Sequence, residues 1–357
     1  LFIIIVWSLL TINCGRPVIP ITPIPDETIL DMHVHVAGVG YGDSGCFVSE
    51  NIKNSYKFSI YLKAFGMSAE LGRKHGDKLV FFTLSQQLKI SRYVKDAIVF
   101  GLDGIYDRYG KLDHDVTEVY CPNQFVAKES AKYDNLHFGA SVNPYRHDAI
   151  DELERVVKAG AVLIKWIPSI QNIDPSDEKL TPFYLEMVKY NIPLLTHAGD
   201  ESTFTFSNDK LADPALLELP LKLGVKVVVA HVGAVGSNNG VENLVRVIRM
   251  LKKYDNLYAD ISSLTQINRL GFLSRVLQDR DIYDKLMYGS DMPLINTVLV
   301  SSFYYPLDLT IKQMWSISRN DSVWDRDILL KQALGVPTKL FTNSRAFFGI
   351  ADSKDSQ

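Results

Sequence analysis

The sequence predicts an α/β protein, a closed (β/α)8 barrel with an insertion after its first strand and a helical C-terminal extension. Three observations carry this expectation. Eight short runs rich in apolar and β-branched residues recur along the chain, each bounded by turn formers. Helix-period segments lie between most of them. The runs are near-continuously apolar rather than alternating, which is the pattern of parallel strands covered on their outer side. A barrel of this kind takes about 250 residues as one unit, well within the 357 of this chain. The structural rival is a doubly wound open sheet, which uses fewer strands and gathers its chemistry at a switch point.

In order, the runs are 29–36 (ILDMHVHV), 97–102 (AIVFGL), 136–142 (LHFGASV), 161–167 (AVLIKWI), 192–198 (IPLLTHA), 225–232 (VKVVVAHV), 256–262 (NLYADIS) and 285–290 (KLMYGS). The stretch 37–96 is too long for one crossover. With helical material at 55–75 and 76–92, it reads as an insertion over the barrel mouth. Residues 103–135 form a second long connection. Segment 148–160 predicts a helix with Asp148 as N-cap and Gly160 as its stop. At 241–254, Val241, Leu244, Val245, Ile248 and Leu251 form one helical stripe. Residues 296–347 supply the last helix and the extension, so the barrel domain is expected over 28–350.

Composition narrows the class. With 38 Lys+Arg against 41 Asp+Glu, the chain lacks the basic footprint of a nucleic-acid binder. A content of 46% hydrophobic and 22% charged residues excludes disorder for the bulk of the chain. Three cysteines are too few for a disulfide framework. Cys46 and Cys121 are read as small apolar packing residues, with a bridge between them open only in an oxidising compartment.

Residues 1–13 (LFIIIVWSLLTIN) carry no charge. The run is too short for an ordinary membrane span of about 20 residues but suits the apolar centre of a secretory signal. Cys14 follows, and then a tether with prolines at 17, 20, 23 and 25. The arrangement resembles a bacterial lipoprotein signal. That resemblance implies a signal over 1–14, acylated Cys14, a tether over 15–27, and an exported chain anchored in the cell envelope through its lipid. The plainer alternatives are an ordinary signal peptide cleaved nearby, or an apolar amino-terminal segment with an incidental cysteine.

Chemistry is expected at the carboxyl ends of the strands. His33 and His35 end the first run, Lys165 lies on the fourth, His197 ends the fifth, His231 the sixth, and Asp291 follows the eighth. In a barrel those ends form one rim around one pocket. His33 and His35 are two apart on a strand, so both rings face one way. Two neutral imidazoles there make half of a site for zinc or a similar divalent ion. A third imidazole and a carboxylate from distant strands complete such a set and leave a position open for water. By the same alternation, Asp31 shares the face of His33 and is placed either to orient a ligand or to make a buried structural hydrogen bond. Asp260 and Ser262 are read as structural or substrate-touching, Trp166 as core, and Asp200 and Glu201 as mouth or helix-start residues. His75, His114, His137 and His147 are read as surface or turn residues.

DMHVHV at 31–36, LIKWIPS at 163–169, LLTHAGDE at 194–201, VVVAHVGA at 228–235 and MYGSDMP at 287–293 together resemble the amidohydrolase superfamily, in its amidohydrolase-related branch. The resemblance covers residues 29–295. It implies one or two divalent metals at the barrel mouth; three imidazoles and a carboxylate suit zinc, manganese and iron alike, with zinc expected first. It also implies His33, His35, His197 and Asp291 as ligands, with His231 as ligand or acid/base residue. In dinuclear members the lysine matching Lys165 is carboxylated and bridges two metals; in the mononuclear alternative Lys165 pairs with Asp291 or with a substrate carboxylate.

Three functions follow from this reading. The first is a hydrolase whose metal-activated water attacks an amide, lactone or other ester of a small-molecule substrate, with Asp291 and His231 as the catalytic residues. The second is a metal-dependent, non-oxidative decarboxylase of an aromatic or unsaturated acid. The third is a non-catalytic exported barrel that binds metal or ligand. Specificity is expected from 37–96, 103–135 and the loop after Asp291, with Tyr41, Phe47, Tyr56 and Tyr106 as scattered aromatics.

Overall fold

Each of the eight apolar runs contributes a strand to one barrel in the computed structural model, which describes residues 23–26, 28–201, 204–205 and 207–351. The strands are β1 (Ile29–His35), β2 (Val94–Phe100), β3 (Leu136–Phe138), β4 (Ile164–Trp166), β5 (Leu194–Thr196), β6 (Val227–Val229), β7 (Leu257–Asp260) and β8 (Leu286–Met287). β1, β2 and β3 pair in parallel, as do β4 to β8 in order. Two parallel bridges, Ala140–Ile164 and Val34–Met292, join the two groups and close the ring. Closure removes the open sheet from consideration.

The strand residues sort onto two faces. Leu30, Met32, Ile98, Phe100, Leu163, Leu195, Val228 and Met287 fill the barrel interior. Their neighbours, such as Ile29, Val99, Ile164, Leu194, Val227 and Leu286, pack outward beneath the helices. Trp166 also faces outward. Its indole donates to the Val142 carbonyl at 2.7 Å, and its ring lies against Phe183 and Tyr184. Phe347, Phe348 and Ile350 plug the amino-terminal end of the interior. The opposite end is therefore where a polar site can open.

The insertion after β1 forms α1 (Glu50–Lys53), α2 (Tyr56–Ala64), α3 (Ala69–His75) and α4 (Leu79–Ile90). Serines start the first three: Ser49, Ser55 and Ser68 each accept a hydrogen bond from a backbone N–H of the first turn. Asp77 ties the loop after β1 to this unit, accepting from the Gly40 and Tyr41 amides and from the Ser44 hydroxyl. Phe47–Val48 pairs antiparallel with Val119–Tyr120, fastening the insertion to the connection after β2. That register sets Cys46 opposite Cys121. Their sulfurs are 3.3 Å apart, both buried and both free thiols.

Local expectations are adjusted in four places. The helix α5 (Ala149–Lys158) does start after Asp148 and stops before Gly160, but Asp148 makes no capping bond. Its carboxylate pairs instead with Arg146 and Arg155, and these charge-assisted contacts win over a neutral amide. In α6 (Asn243–Lys253) the buried residues are Asn243, Leu244, Val247, Met250 and Leu251, so the stripe is rotated from the one expected. Val241 precedes the helix in a short antiparallel pair with Asn238. His137 lies half-buried on β3, 3.6 Å from Asp96, rather than in a turn.

Ile24, from the segment read as tether, is buried in the core, and Asp26 pairs with Arg92 at 2.7 Å. Cys14 and the signal lie outside the described residues. Among the described residues no helix is long and apolar enough to cross a membrane.

Candidate metal centre

The interior apolar layer ends where the polar residues begin. Two residues beyond Leu163, Leu195 and Tyr258, strand alternation brings Lys165, His197 and Asp260 inward, all buried. Simple alternation fails at three other positions. In β1, Leu30 and Met32 face the interior, yet so does His33, because a register irregularity lies between Asp31 and Val34. His231 has φ 55°, Val232 φ 53° and Asp291 φ 62°. These left-handed turns fold His231 and Asp291 back over the barrel mouth, where non-glycine residues adopt such angles only at some cost.

The irregularity in β1 also decides between the two roles open to Asp31, in favour of the buried structural hydrogen bond. Its carboxylate points away from the His33 ring and accepts from the Trp324 indole at 2.7 Å and the Ser290 amide at 2.9 Å. It thereby ties β1 to the C-terminal extension. Burial raises its pKa to about 6, against the opposing bonds from Ser290 and Trp324. The orienting work falls to Asp260. One oxygen of Asp260 accepts from His33 Nδ1 at 2.8 Å, and the other from the His231 amide at 2.9 Å. The Ser262 hydroxyl also bonds to Asp260, so it accepts from His231 Nδ1 at 2.7 Å. Both Nδ1 atoms are thus protonated, and both Nε2 atoms carry lone pairs.

Those lone pairs converge. His33 Nε2 lies 3.2 Å from His35 Nε2 and 3.5 Å from Asp291 Oδ1. His35 Nε2 is 3.4 Å from the same oxygen, and His231 Nε2 is 3.7 Å from Asp291 Oδ2. Lys165 Nζ donates to His33 Nε2 at 3.2 Å. No hydrogen bond or ion pair joins it directly to Asp291. His197 packs beside His231, ring centroids 5.4 Å apart, but its Nε2 turns to the Gly199 carbonyl and Glu201. The donor atoms of His33, His35 and Asp291 lie within 4.8 Å of one another, as do those of His33, His231 and Asp260. Of the six residues expected at the site, five thus make one contact network, with His197 at its edge. Gly289 passes so close that a Cβ there would stand 2.7 Å from His33 Cβ.

The protonation states suit a cation. Burial, reinforced by the charge on Lys165, lowers His35 to about 4. Burial and the charge of Arg269 hold His231 well below the usual imidazole range. Burial also lowers His197 and brings Lys165 down to about 8. The Asp291 carboxyl is held well below the usual carboxylate range despite its burial, by the facing His231, His33 and His35 rings and the hydrogen bond from His35. Neutral imidazoles facing carboxylates, with their outer nitrogens anchored, are the donor chemistry of a divalent ion. The residues fit one.

The pH dependence of loading follows with its sign. A protonated imidazole cannot ligate, and an ordinary histidine protonates near about 6.5. With His35 lowered to about 4 by burial, its own protonation should release metal only below about pH 5. Elemental analysis after dialysis from about pH 8 to about pH 4, on the native protein and His35→Asn, checks it; a His35-dependent loss beginning near neutrality would contradict the buried, neutral imidazole.

A cavity of about 160 Å³ opens onto His35, His231 and Asp291. The insertion supplies much of its mostly apolar wall, including Tyr41, Phe58, Tyr61 and Phe65. Of the aromatics expected to set specificity, only Tyr41 reaches it. Tyr56 is exposed, Phe47 stacks on Tyr120, and Tyr106 bonds to Asp103. Arg269, which also lines the cavity, escapes sequence reasoning because no motif surrounds it.

A parallel barrel with histidines and carboxylates gathered at its carboxyl-terminal mouth defines a class of metal-dependent barrel enzymes. A family profile described as amidohydrolase matches residues 95–309, and the chain belongs to that family. Among solved structures the chain is similar to an uncharacterized TIM-barrel protein from Bordetella bronchiseptica, with TM-score 0.52 and 15% identity, covering 85% of this chain and 99% of that one. It is also similar to 5-carboxyvanillate decarboxylase from Sphingomonas paucimobilis, with TM-score 0.46 and 10% identity over 91% and 100% of the two chains. Enamidase, described as a member of the amidohydrolase superfamily, gives TM-score 0.48 and 14% identity over 93% and 71%. No curated protein matches the chain by sequence.

Proposed function

We propose that the protein is a metal-dependent hydrolase of an amide, lactone or other ester. Asp291 carries this reading. It is a buried carboxylate kept ionised, fixed by the Ser263 hydroxyl at 2.5 Å, and set at the floor of the cavity beside three imidazoles. His33, His35 and Asp291 would hold the ion, zinc by preference for imidazole and carboxylate donors, with His231 and His197 alongside. When bound, such an ion supplies Lewis acidity and lowers the pKa of a water.

The chain's own residues do the rest. Asp291 accepts the proton of the attacking water on a carboxylate oxygen and returns it to the leaving group. His231, with its Nδ1 proton committed to Ser262, presents an Nε2 lone pair. It therefore serves as ligand or base first, and as an acid only after taking up a proton. The apolar wall excludes water from the bond being broken.

A panel of lactones, esters and amides, read for acid release, tests the reaction. Carbon dioxide from a panel of aromatic and unsaturated acids, with no hydrolysis, would replace this reading by decarboxylation, which the apolar cavity wall also accommodates. The cavity open onto the donors weighs against a purely structural metal.

Lys165 decides the metal count. One ion per chain is expected, and Lys165→Ala should keep it. Two ions in the native protein, falling to one or none in the variant, would instead make a carboxylated Lys165 their bridge. We further propose, on the apolar run and Cys14, that the chain is exported and lipid-anchored. Fatty-acid labelling that persists in Cys14→Ser would refute that.

A further inference from the structure

The mouth holds one strong cation that the hydrolase reading leaves idle. Arg269 is only 8% exposed, yet Nε and Nη1 of its guanidinium have no hydrogen-bond partner among the described residues. A buried arginine normally spends its fork on a carboxylate or on carbonyls, because unpaired buried donors are costly. Here Asp291 and Glu201, which line the same cavity, and Asp260, buried behind it, act on it only through space.

Its position is also built. Arg269 closes a short 3-10 turn, Ile267–Arg269, after β7, with its amide bonded to the Gln266 carbonyl at 2.9 Å. An antiparallel bridge between Gln266 and Val300, and the Ile267 amide on the Leu299 carbonyl, clamp that turn to the segment after β8. The guanidinium is held at the cavity wall while its donors wait.

We propose that Arg269 is a substrate-anchoring subsite for a carboxylate, so that the substrate is an apolar, ring-sized molecule bearing a carboxylate separate from the bond that is cleaved. A planar carboxylate matches the guanidinium fork with two parallel bonds. The remaining wall, with Tyr41, Phe58, Tyr61, Phe65 and Phe204, takes the apolar body. A phosphate dianion fits less well, since it offers more acceptors than one guanidinium can meet and the wall supplies few other donors. This inference rests on the hydrolase reading for the separate scissile bond, but not for the subsite itself.

The test is calorimetric and needs no turnover. Benzoate, its neutral isostere benzamide, and inorganic phosphate are titrated into the purified metal-containing protein and into Arg269→Gln and Arg269→Lys. Benzoate should bind about tenfold or more tighter than benzamide and than phosphate, the range for hydrogen bonds to a charged partner. That preference should vanish in Arg269→Gln and shrink in Arg269→Lys, which keeps the charge without the fork. Melting temperature and metal content accompany each variant; if Arg269→Gln is unfolded, the lysine variant decides.

Equal binding of benzoate and benzamide overturns the subsite, as does no benzoate binding. So does a preference that survives the variants, which would place the anion on the metal. Preference for phosphate overturns the carboxylate assignment. A protein that shows the benzoate preference but hydrolyses nothing loses the hydrolase reading and keeps the subsite, and the reverse result does the opposite.

Discussion

Asp291→Asn should lower turnover by about 10²–10⁴-fold, the range for removing a positioned general base. The substitution is sterically mild. Asparagine tolerates the left-handed backbone at this position, φ 62°, and its amide oxygen can still accept from Ser263. What is lost is the negative charge and the proton acceptor beside His33, His35 and His231. Kinetics on whichever panel member is turned over, with metal content measured on the same sample, separates the two losses. A variant with full metal and near-native turnover would remove Asp291 from the chemistry.

Asp260→Asn should weaken metal affinity by about 10–100-fold, the usual cost of removing the partner that orients a ligating histidine. Asp260 never faces the cavity, so substrate contact cannot explain such a loss. It accepts four hydrogen bonds: from His33 Nδ1, the His231 amide, the Ser262 amide and the Ser262 hydroxyl. An amide has one acceptor atom, so at least one buried donor loses its partner. The melting temperature should fall as well, because a buried unsatisfied donor costs about 1–3 kcal/mol. A chelator competition titration measures the affinity; native affinity in a stable variant would show that the imidazoles are held by packing alone.

The fold was legible because the strands repeat. Eight apolar runs, each ending close to a polar residue, suffice to predict a parallel barrel and to place His33, Lys165, His197 and His231 on its rim. The histidine and aspartate patterns that suggest the family are local, so they survive reading as a string. The orienting residues were less legible. Strict alternation left Asp31 open between orienting His33 and a buried structural hydrogen bond, whereas Asp260, far away in sequence, holds both His33 and His231. Asp148 had the right type for a cap but sits beside two arginines that compete for it. Arg269 is recognisable only by what surrounds it: nothing in its neighbours along the chain distinguishes it from a surface arginine.

The order of apolar and polar residues along the chain determined, by itself, the barrel, the rim on which chemistry sits and the identity of most donors, because strand period and strand count are properties of local sequence. Only the tertiary structure decided which donors meet. The irregularity in β1 and the left-handed turns at His231 and Asp291 reverse the facing that a period of two would give, and such turns are paid for by contacts from other strands. The same holds for Arg269, whose Nε and Nη1 find no partner among the described residues, since that is a fact about space and not about order along a chain.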